Sequence, residues 1–142
     1  MFDFVVKYLG FLKNVPLLPQ VFDAFLIMWS FIFKPEILDT IDAIRDEVLS
    51  WDGIKECRHK YGGMQFDCYG KEIGHIHGNG ILDILFSKKI KEQLLAEGKI
   101  KDHHIFANTG WISFYITKKE DAAYAIKLLG LSWSKINKST IK

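Results

Sequence analysis

Glycines interrupt the segment from Ile54 to Phe86 at short intervals, and this spacing limits the folds that the chain can adopt. They occur as Gly62-Gly63, as Gly70 and in the run Gly78-Asn79-Gly80. Between them, apolar and polar residues alternate with a period of two, which is typical of half-buried strands. The segment is therefore predicted to form an antiparallel meander of four short strands.

Helical patterns lie on both sides of this meander. A helix is predicted from Pro35 to the stop at Asp52-Gly53, because apolar residues recur there at intervals of three and four. A second is predicted to begin at the N-cap Ser87, and a last strand and a C-terminal helix follow. The order predicts an α+β fold, with an antiparallel sheet of about five strands and helices mainly on one face.

Length and charge predict one domain without affinity for nucleic acid. The 142 residues, 49% of them hydrophobic, are enough for one core and too few for two. The net charge of +2 gives no bulk field that would attract DNA or RNA. Basic residues between Lys88 and Lys101, Lys91 among them, alternate with acidic ones and are expected on a solvated helix face. We divide the chain into an apolar N-terminal helical segment, residues 1–34, and a single α+β domain, residues 35–142.

The N-terminal segment allows three interpretations. Its densest apolar run, Ala24 to Phe33, is ten residues long, whereas a helix that crosses a bilayer needs roughly 20. It also lacks the basic start and the cleavage site of a signal peptide. A helix packed on the domain core, a helix in a membrane interface and a short tilted span remain open. We expect a cytoplasmic protein, with membrane-surface contact through residues 1–34 as an alternative.

The first hairpin sets the expected environment of the two cysteines. A two-residue turn at Gly62-Gly63 would pair Cys57 with Cys68 at a position where side chains are held apart, which predicts two free, buried thiols. The same register places His75 and His77 on the apolar face that contains Met64 and Phe66.

His75 and His77 stand two residues apart in the predicted third strand, so their imidazoles share one face. One interpretation is structural, with ring nitrogens that find backbone or carboxylate partners. The other is a site, because imidazole is the usual general base near neutral pH and, with carboxylates, a common ligand of zinc and iron. Asp83 and the loop residues His103 and His104 are the candidates to complete it.

One turn decides whether Asp83 joins the histidines. A two-residue Asn79-Gly80 turn pairs residue 76 with residue 83 and sends Asp83 to the opposite face. A three-residue loop that ends in a left-handed Gly80 pairs residue 75 with residue 83 and brings the carboxylate beside His75. Both registers remain open from the sequence.

An ordered set of motifs between Ile54 and Trp133 resembles the luciferase-domain family, which takes its name from fungal luciferase. The motifs are EIGHIH at 72–77, GILDI at 80–84, HH at 103–104 and GWISF at 110–114, followed by the helix from residue 120 to 129. In the fungal enzyme, the resemblance implies oxygen-dependent oxidation of a hydroxylated pyrone. It carries over to Glu72, His75, His77 and either His103 or His104, and the chain departs from the fungal pattern in its length and around Asp83.

The leading hypothesis is a histidine-lined pocket that binds or oxidises a small aromatic or oxygenated molecule. The predicted catalytic residues are His75, His77, His103 and His104, and the predicted substrate-binding residues are Glu72, Asp83 and Trp111. A metal ion, if the protein holds one, is predicted to bind His75, His77, Asp83 and His104. Cofactor and oligomeric state do not follow from the sequence.

Two alternatives belong to other functional classes. In the first, the protein is a non-catalytic, membrane-peripheral or partner-binding module whose N-terminal helix is the functional part. In the second, it is a metal-dependent hydrolase. The hydrolase requires Asp83 to lie beside His75.

Overall fold

The computed structural model describes residues 18–33 and 35–140. Its helices are α1 (Leu18–Phe33), α2 (Pro35–Leu49), α3 (Lys88–Ala96) and α4 (Asp121–Thr140). Its strands are β1 (Ile54–Arg58), β2 (Met64–Cys68), β3 (Lys71–Ile76), β4 (Ile81–Leu85), β5 (Lys101–Asp102) and β6 (Trp111–Tyr115). Within these residues the strands form one antiparallel sheet in the order β1-β2-β3-β4-β6-β5. The predicted α+β fold is confirmed, with a sixth strand because β5, expected as part of a loop, pairs with β6.

Helices α2 and α4 pack together on one face of the sheet. Helix α2 buries Ile37, Ile41, Ile44 and Val48, whose spacing places them on one side of the helix. Each such side chain stabilises the fold by about 1.5–3 kcal/mol relative to an exposed one. Gly74 of β3 lies beneath α4, since a Cβ added there would stand 3.0 Å from Leu129 Cδ2. His75, the next residue, therefore faces the opposite side of the sheet.

Helix α1 packs on the domain through one of its sides. Leu26 is buried, Ile27 lies against Gly78, and Asp23 Oδ1 accepts a 3.1 Å hydrogen bond from the Gly78 N–H. Among residues 18–33 and 35–140, no helix combines the length and apolar character needed to cross a membrane. The part of the predicted N-terminal segment that precedes residue 18 lies outside the described residues.

The first hairpin differs from its predicted register. Arg58 pairs with Met64, so residues 59–63 form a loop in place of the expected two-residue turn. His75 pairs with Gln65, so its predicted place on the face of Met64 and Phe66 was wrong.

The changed register also separates the two cysteines. Cys57 pairs with Gln65, while Cys68 pairs with Ile54 at the other end of β1. Both thiols are free, but only Cys68 is buried. The predicted burial of Cys57 was wrong because β1 is an edge strand with largely exposed side chains.

The β3–β4 hairpin adopts the three-residue loop. His75 pairs with Asp83 and Ile76 with Leu82. The loop is closed by hydrogen bonds of 2.9 Å from the His77 N–H to the Ile81 carbonyl and from the Gly80 N–H to the His77 carbonyl. Gly80 has a φ of +85°, a conformation that glycine adopts without steric cost. Of the two registers open from the sequence, this one places Asp83 beside His75.

Candidate functional site

All five histidines of the chain gather into one cluster. His59 comes from the β1–β2 loop, His75 and His77 from β3 and the turn after it, and His103 and His104 from the loop after β5. The His59 and His75 rings stack with centroids 3.7 Å apart, and those of His103 and His104 with centroids 4.3 Å apart. Because three separate segments contribute, the tertiary fold creates this cluster.

Asp83 of β4 lies at the centre of the cluster, and it is 0% exposed. Its Oδ1 accepts a hydrogen bond from the Ser113 hydroxyl. Its Oδ2 faces three imidazole Nε2 atoms, those of His77 at 3.5 Å, His103 at 3.6 Å and His75 at 3.7 Å. These separations exceed the usual N–H···O distance of about 2.9 Å, and Oδ2 has no hydrogen-bond partner. We use the name histidine–aspartate site for Asp83, Ser113, Glu72 and the histidines His75, His77 and His103.

The Asp83 carboxyl group is ionised in this environment. Burial by itself would raise its pKa, but the neighbouring His103 and His77 imidazoles and the Ser113 hydroxyl hold the pKa well below its usual range. A buried carboxylate is costly unless a positive group or hydrogen-bond donors compensate it. The environment of Oδ2 therefore favours a cationic centre beside it.

Glu72 fixes the tautomer of His75. Its Oε1 lies 2.6 Å from His75 Nδ1. Burial would raise the pKa of Glu72, but the hydrogen bond and charge of His75 lower it, so the ionised carboxylate accepts and Nδ1 donates. With its proton on Nδ1, a neutral His75 ring directs the lone pair of Nε2 towards Asp83, whereas a protonated ring carries the compensating positive charge itself.

The backbone fixes the opposite tautomer in His103. Its Nδ1 accepts hydrogen bonds from the N–H groups of Ile105 at 3.1 Å and Phe106 at 3.2 Å. A ring nitrogen that accepts these bonds carries no proton, so the proton of His103 resides on Nε2. His103 is thus a hydrogen-bond donor towards Asp83, and its Nε2 has no lone pair for a metal ion.

His59 and His77 complete the surroundings of His75. Burial, followed by the charge of His75, lowers the pKa of His59 to about 4, so His59 is neutral at pH 7. His77 turns its Nδ1 towards Asp23 Oδ1 of α1, 3.9 Å away, and its Nε2 towards Asp83. Helix α1 therefore reaches the site through Asp23.

Lys91 of α3 anchors the loop that carries His103 and His104. Its Nζ donates to the carbonyls of Ala107 at 2.6 Å and Thr109 at 2.9 Å, and it pairs with Asp102 at 2.6 Å. The expectation that Lys91 lies on a solvated helix face was wrong, because its side chain is buried beneath this loop. Its two carbonyl partners follow it in the sequence by 16 and 18 residues, so no local pattern identifies it.

Aromatic side chains border the site. The Trp111 ring centroid lies 5.7 Å from those of both His75 and His103, and the Phe106 ring lies 5.2 Å from that of His103. Phe106 is exposed and Trp111 is half-buried. Flat apolar surfaces beside converging polar groups are typical of small-molecule sites.

The structure brings the predicted site residues together in three overlapping sets. Ligand atoms of His75, His77 and Asp83 lie within 4.8 Å of one another, and the same holds for Asp83, His103 and His104 and for His59, Glu72 and His75. His104 therefore lies in a different set from His75 and His77.

Sequence reasoning missed Ser113 and Asp23. Ser113 pairs with Asp83 across β4 and β6, a relation that only the strand order reveals.

Comparison with known families bears on the same residues. Residues 70–132 match the family model described as Luciferase domain, somewhat less than half of the chain. The predicted resemblance to the luciferase-domain family is confirmed. The luciferase-domain match includes Asp83 and four of its surrounding histidines, whereas His59 and Asp23 lie outside it. No curated protein and no solved structure matches the chain significantly.

Proposed function

We propose that this protein is an oxidoreductase that binds a small hydroxylated aromatic molecule at the histidine–aspartate site and promotes its oxidation by dioxygen. The observation that carries the proposal is the convergence of the Nε2 atoms of His75, His77 and His103 on the buried Asp83. The luciferase-domain match supports the reaction class, because the resemblance implies oxygen-dependent oxidation of a hydroxylated ring.

The site supplies the two kinds of group that an ionised hydroxyl needs. His75 Nε2 and Asp83 Oδ2 are electron-pair donors and favour a positive centre between them, either a proton or a metal cation. His103 Nε2–H is a fixed hydrogen-bond donor. A bound hydroxyl would pass its proton to His75 Nε2, or to solvent when a metal ion holds its oxygen, and the electron-rich ring that remains would be oxidised as dioxygen is reduced. The positive centre would stabilise the ionised oxygen.

The aromatic border favours a flat ligand. Trp111 lies against the rings of His75 and His103, and Phe106 lies against that of His103. Both aromatic side chains also reach solvent. A ring stacked on these side chains would gain about 0.5–1.5 kcal/mol beyond the burial of its area. This arrangement supports an aromatic or pyrone ring over a flexible aliphatic substrate.

Oxygen uptake tests the proposal. The full chain is mixed with catechol or with 4-hydroxy-2-pyrone in an oxygen electrode, with and without added Fe²⁺. We expect protein-dependent uptake with at least one probe, and a loss of about 100-fold when His75 and His77 are both changed to Ala. Asp39→Asn, on the exposed side of α2, is the control and keeps the wild-type rate.

Two results would contradict the proposal. One is uptake that persists in the double variant while circular dichroism shows it to be folded. The other is a wild-type protein that neither consumes oxygen nor shows a thermal shift with either probe. If the double variant unfolds, His75→Asn and His77→Asn are measured singly.

The exposed side of α1 supports a second candidate function, binding to a membrane surface. Val21, Phe25, Met28 and Trp29 are solvent-exposed and follow helical spacing, so they form one apolar stripe. The Phe25 and Trp29 rings lie 6.3 Å apart. Amphipathic helices that bind a lipid surface lie in the plane of the interface with a stripe of this kind buried.

Vesicle co-sedimentation tests this candidate. We expect the full chain to bind phosphatidylcholine vesicles that contain phosphatidylglycerol, and the Phe25→Ser/Trp29→Ser variant to lose most of this binding. Leu85→Ser removes an equally exposed apolar side chain from β4 and serves as the control. Equal binding by all three proteins, or none by the wild type, would exclude the interface role.

A further inference from the structure

We propose that His75, His77 and Asp83 bind a divalent first-row transition-metal ion through Nε2, Nε2 and Oδ2. The inference deepens the proposed function, on which it rests, by naming the positive centre between the electron-pair donors. It assigns the ion to one of three overlapping sets of candidate ligands, and it excludes His103, whose Nε2 carries a proton, from direct coordination.

The separations of the three atoms suit one ion. Metal–ligand distances of about 2.0–2.1 Å and tetrahedral angles place neighbouring ligand atoms about 3.4 Å apart. Asp83 Oδ2 lies 3.5 Å from His77 Nε2 and 3.7 Å from His75 Nε2. Ligand atoms of the three residues lie within 4.8 Å of one another. The two distances to Asp83 Oδ2 therefore need to shorten by only a few tenths of an ångström for both histidines to share an ion with it.

Two of the three ligands are oriented by a hydrogen bond of their other polar atom: His75 Nδ1 donates to Glu72, and Asp83 Oδ1 accepts from Ser113. His77 Nδ1 faces Asp23 Oδ1 at 3.9 Å, beyond direct hydrogen-bond distance. Metal-binding histidines almost always donate their second nitrogen to a carboxylate or carbonyl, and ligating carboxylates are themselves hydrogen-bonded. Asp83 thus keeps Oδ2, the oxygen that has no hydrogen-bond partner, for the ion.

The orientation of His75 is the strongest sign of a cation. When the His75 ring is neutral, its Nε2 lone pair points at a carboxylate oxygen 3.7 Å away, and two electron-rich atoms repel unless a positive centre lies between them. The Nε2–H of His103, at 3.6 Å, is too distant to satisfy that oxygen by a direct hydrogen bond. A divalent ion would compensate the buried charge and accept both lone pairs.

The ligand set also suits the proposed chemistry. Two histidines and one carboxylate leave coordination positions open, and this combination is typical of iron sites that activate oxygen. The hydroxyl oxygen of the ligand would occupy one open position, and His103 would donate to the coordinated Asp83 carboxylate.

Cobalt titration tests the inference on the full chain after treatment with a chelator. Co²⁺ replaces zinc or iron in such sites and gives visible absorption bands. We expect one equivalent to bind, and binding to disappear in Asp83→Asn and His77→Gln. Glu72→Gln should weaken binding by about 10–100-fold, because it removes only the orienting carboxylate. Asp39→Asn and His104→Gln should bind as the wild type does.

The outcomes separate the metal from the proposed function. Cobalt binding that is lost in His104→Gln and retained in His77→Gln would overturn the assignment, as would the absence of stoichiometric binding to the folded wild type. Oxygen uptake that requires His75 but survives chelation would overturn the metal site and leave the function intact, with His75 as the proton acceptor. Stoichiometric cobalt binding by a protein that neither consumes oxygen nor shows a thermal shift with either probe would support the metal site and contradict the function.

Discussion

Gly80 sets the register that brings Asp83 beside His75, and replacing it with alanine tests this dependence. Its φ is +85°, and its carbonyl accepts a 2.8 Å hydrogen bond from the Ile116 N–H. An added Cβ would lie 2.6 Å from the Ile116 carbonyl oxygen, closer than such atoms can approach. The loop would have to shift, and the hydrogen bond to Ile116 would be strained or lost.

The expected destabilisation follows from these two effects. An L-residue in the left-handed conformation costs about 1–2 kcal/mol. Loss of one backbone hydrogen bond adds about 1 kcal/mol. Gly80→Ala should therefore lower the free energy of unfolding by about 2–3 kcal/mol.

Gly70→Ala is the matched control, because Gly70 closes the β2–β3 hairpin with a φ of +79° and has no atom within 4 Å of an added Cβ. It should cost only the conformational part, about 1–2 kcal/mol.

Urea unfolding, followed by circular dichroism, measures both variants, and cobalt titration measures the site. We expect Gly80→Ala to lose about 1 kcal/mol more than Gly70→Ala and to bind cobalt more weakly, because Asp83 shifts relative to His75. Gly70→Ala should keep the wild-type affinity. Equal destabilisation of the two variants, together with unchanged cobalt affinity, would refute the link between Gly80 and the site.

Two further predictions concern the elements around the site. Lys91→Met should destabilise the protein by about 2 kcal/mol and speed chymotrypsin cleavage after Phe106, because the loop loses a charged donor. Lys88→Met, at an exposed position, is the control. Equal rates of cleavage in the two variants would contradict the anchoring role of Lys91. Burial would raise the pKa of Asp121, but hydrogen bonds from Thr117 and Lys118 lower it below its usual value. Its stabilising contribution is therefore complete above about pH 4 and lost as the pH falls below that. Asp121→Asn should flatten this part of the stability profile, and a profile as steep as that of the wild type would contradict it.

Local signals account for the part of the fold that could be predicted. Alternation between glycines identified the four-strand meander, and the helical spacing of Ile37, Ile41, Ile44 and Val48 identified α2. The strand β5 could not be found in this way, because its two residues are held by their pairing with β6.

Hairpin registers show where local signals end. Gly62-Gly63 suggested a two-residue turn, but Gly63 lies against the Ile76 carbonyl of the neighbouring strand, and this contact accompanies the longer loop. At Gly80 the sequence allowed both registers, and the contact with Ile116, the residue that follows β6, favours one. Both decisions depend on residues outside the hairpin concerned.

The candidate site divides in the same way. The spacing of His75 and His77 and the alternation around Asp83 are local, so these residues could be proposed from the sequence. His103 and His104 could be proposed as site residues only because they lie in a predicted loop and match the family resemblance. Asp23 could not be proposed, because its partner Gly78 is 55 residues away and only the packing of α1 brings them together.

Anomalous diffraction from crystals of the full chain grown with zinc is the sharpest test of the proposed metal site. We expect an anomalous peak about 2.0–2.2 Å from His75 Nε2, His77 Nε2 and Asp83 Oδ2, with Glu72 still bonded to His75 Nδ1. Zinc bound only elsewhere, with His75 Nε2 joined to Asp83 by a direct hydrogen bond, would show that a proton balances the buried charge and would refute the metal site.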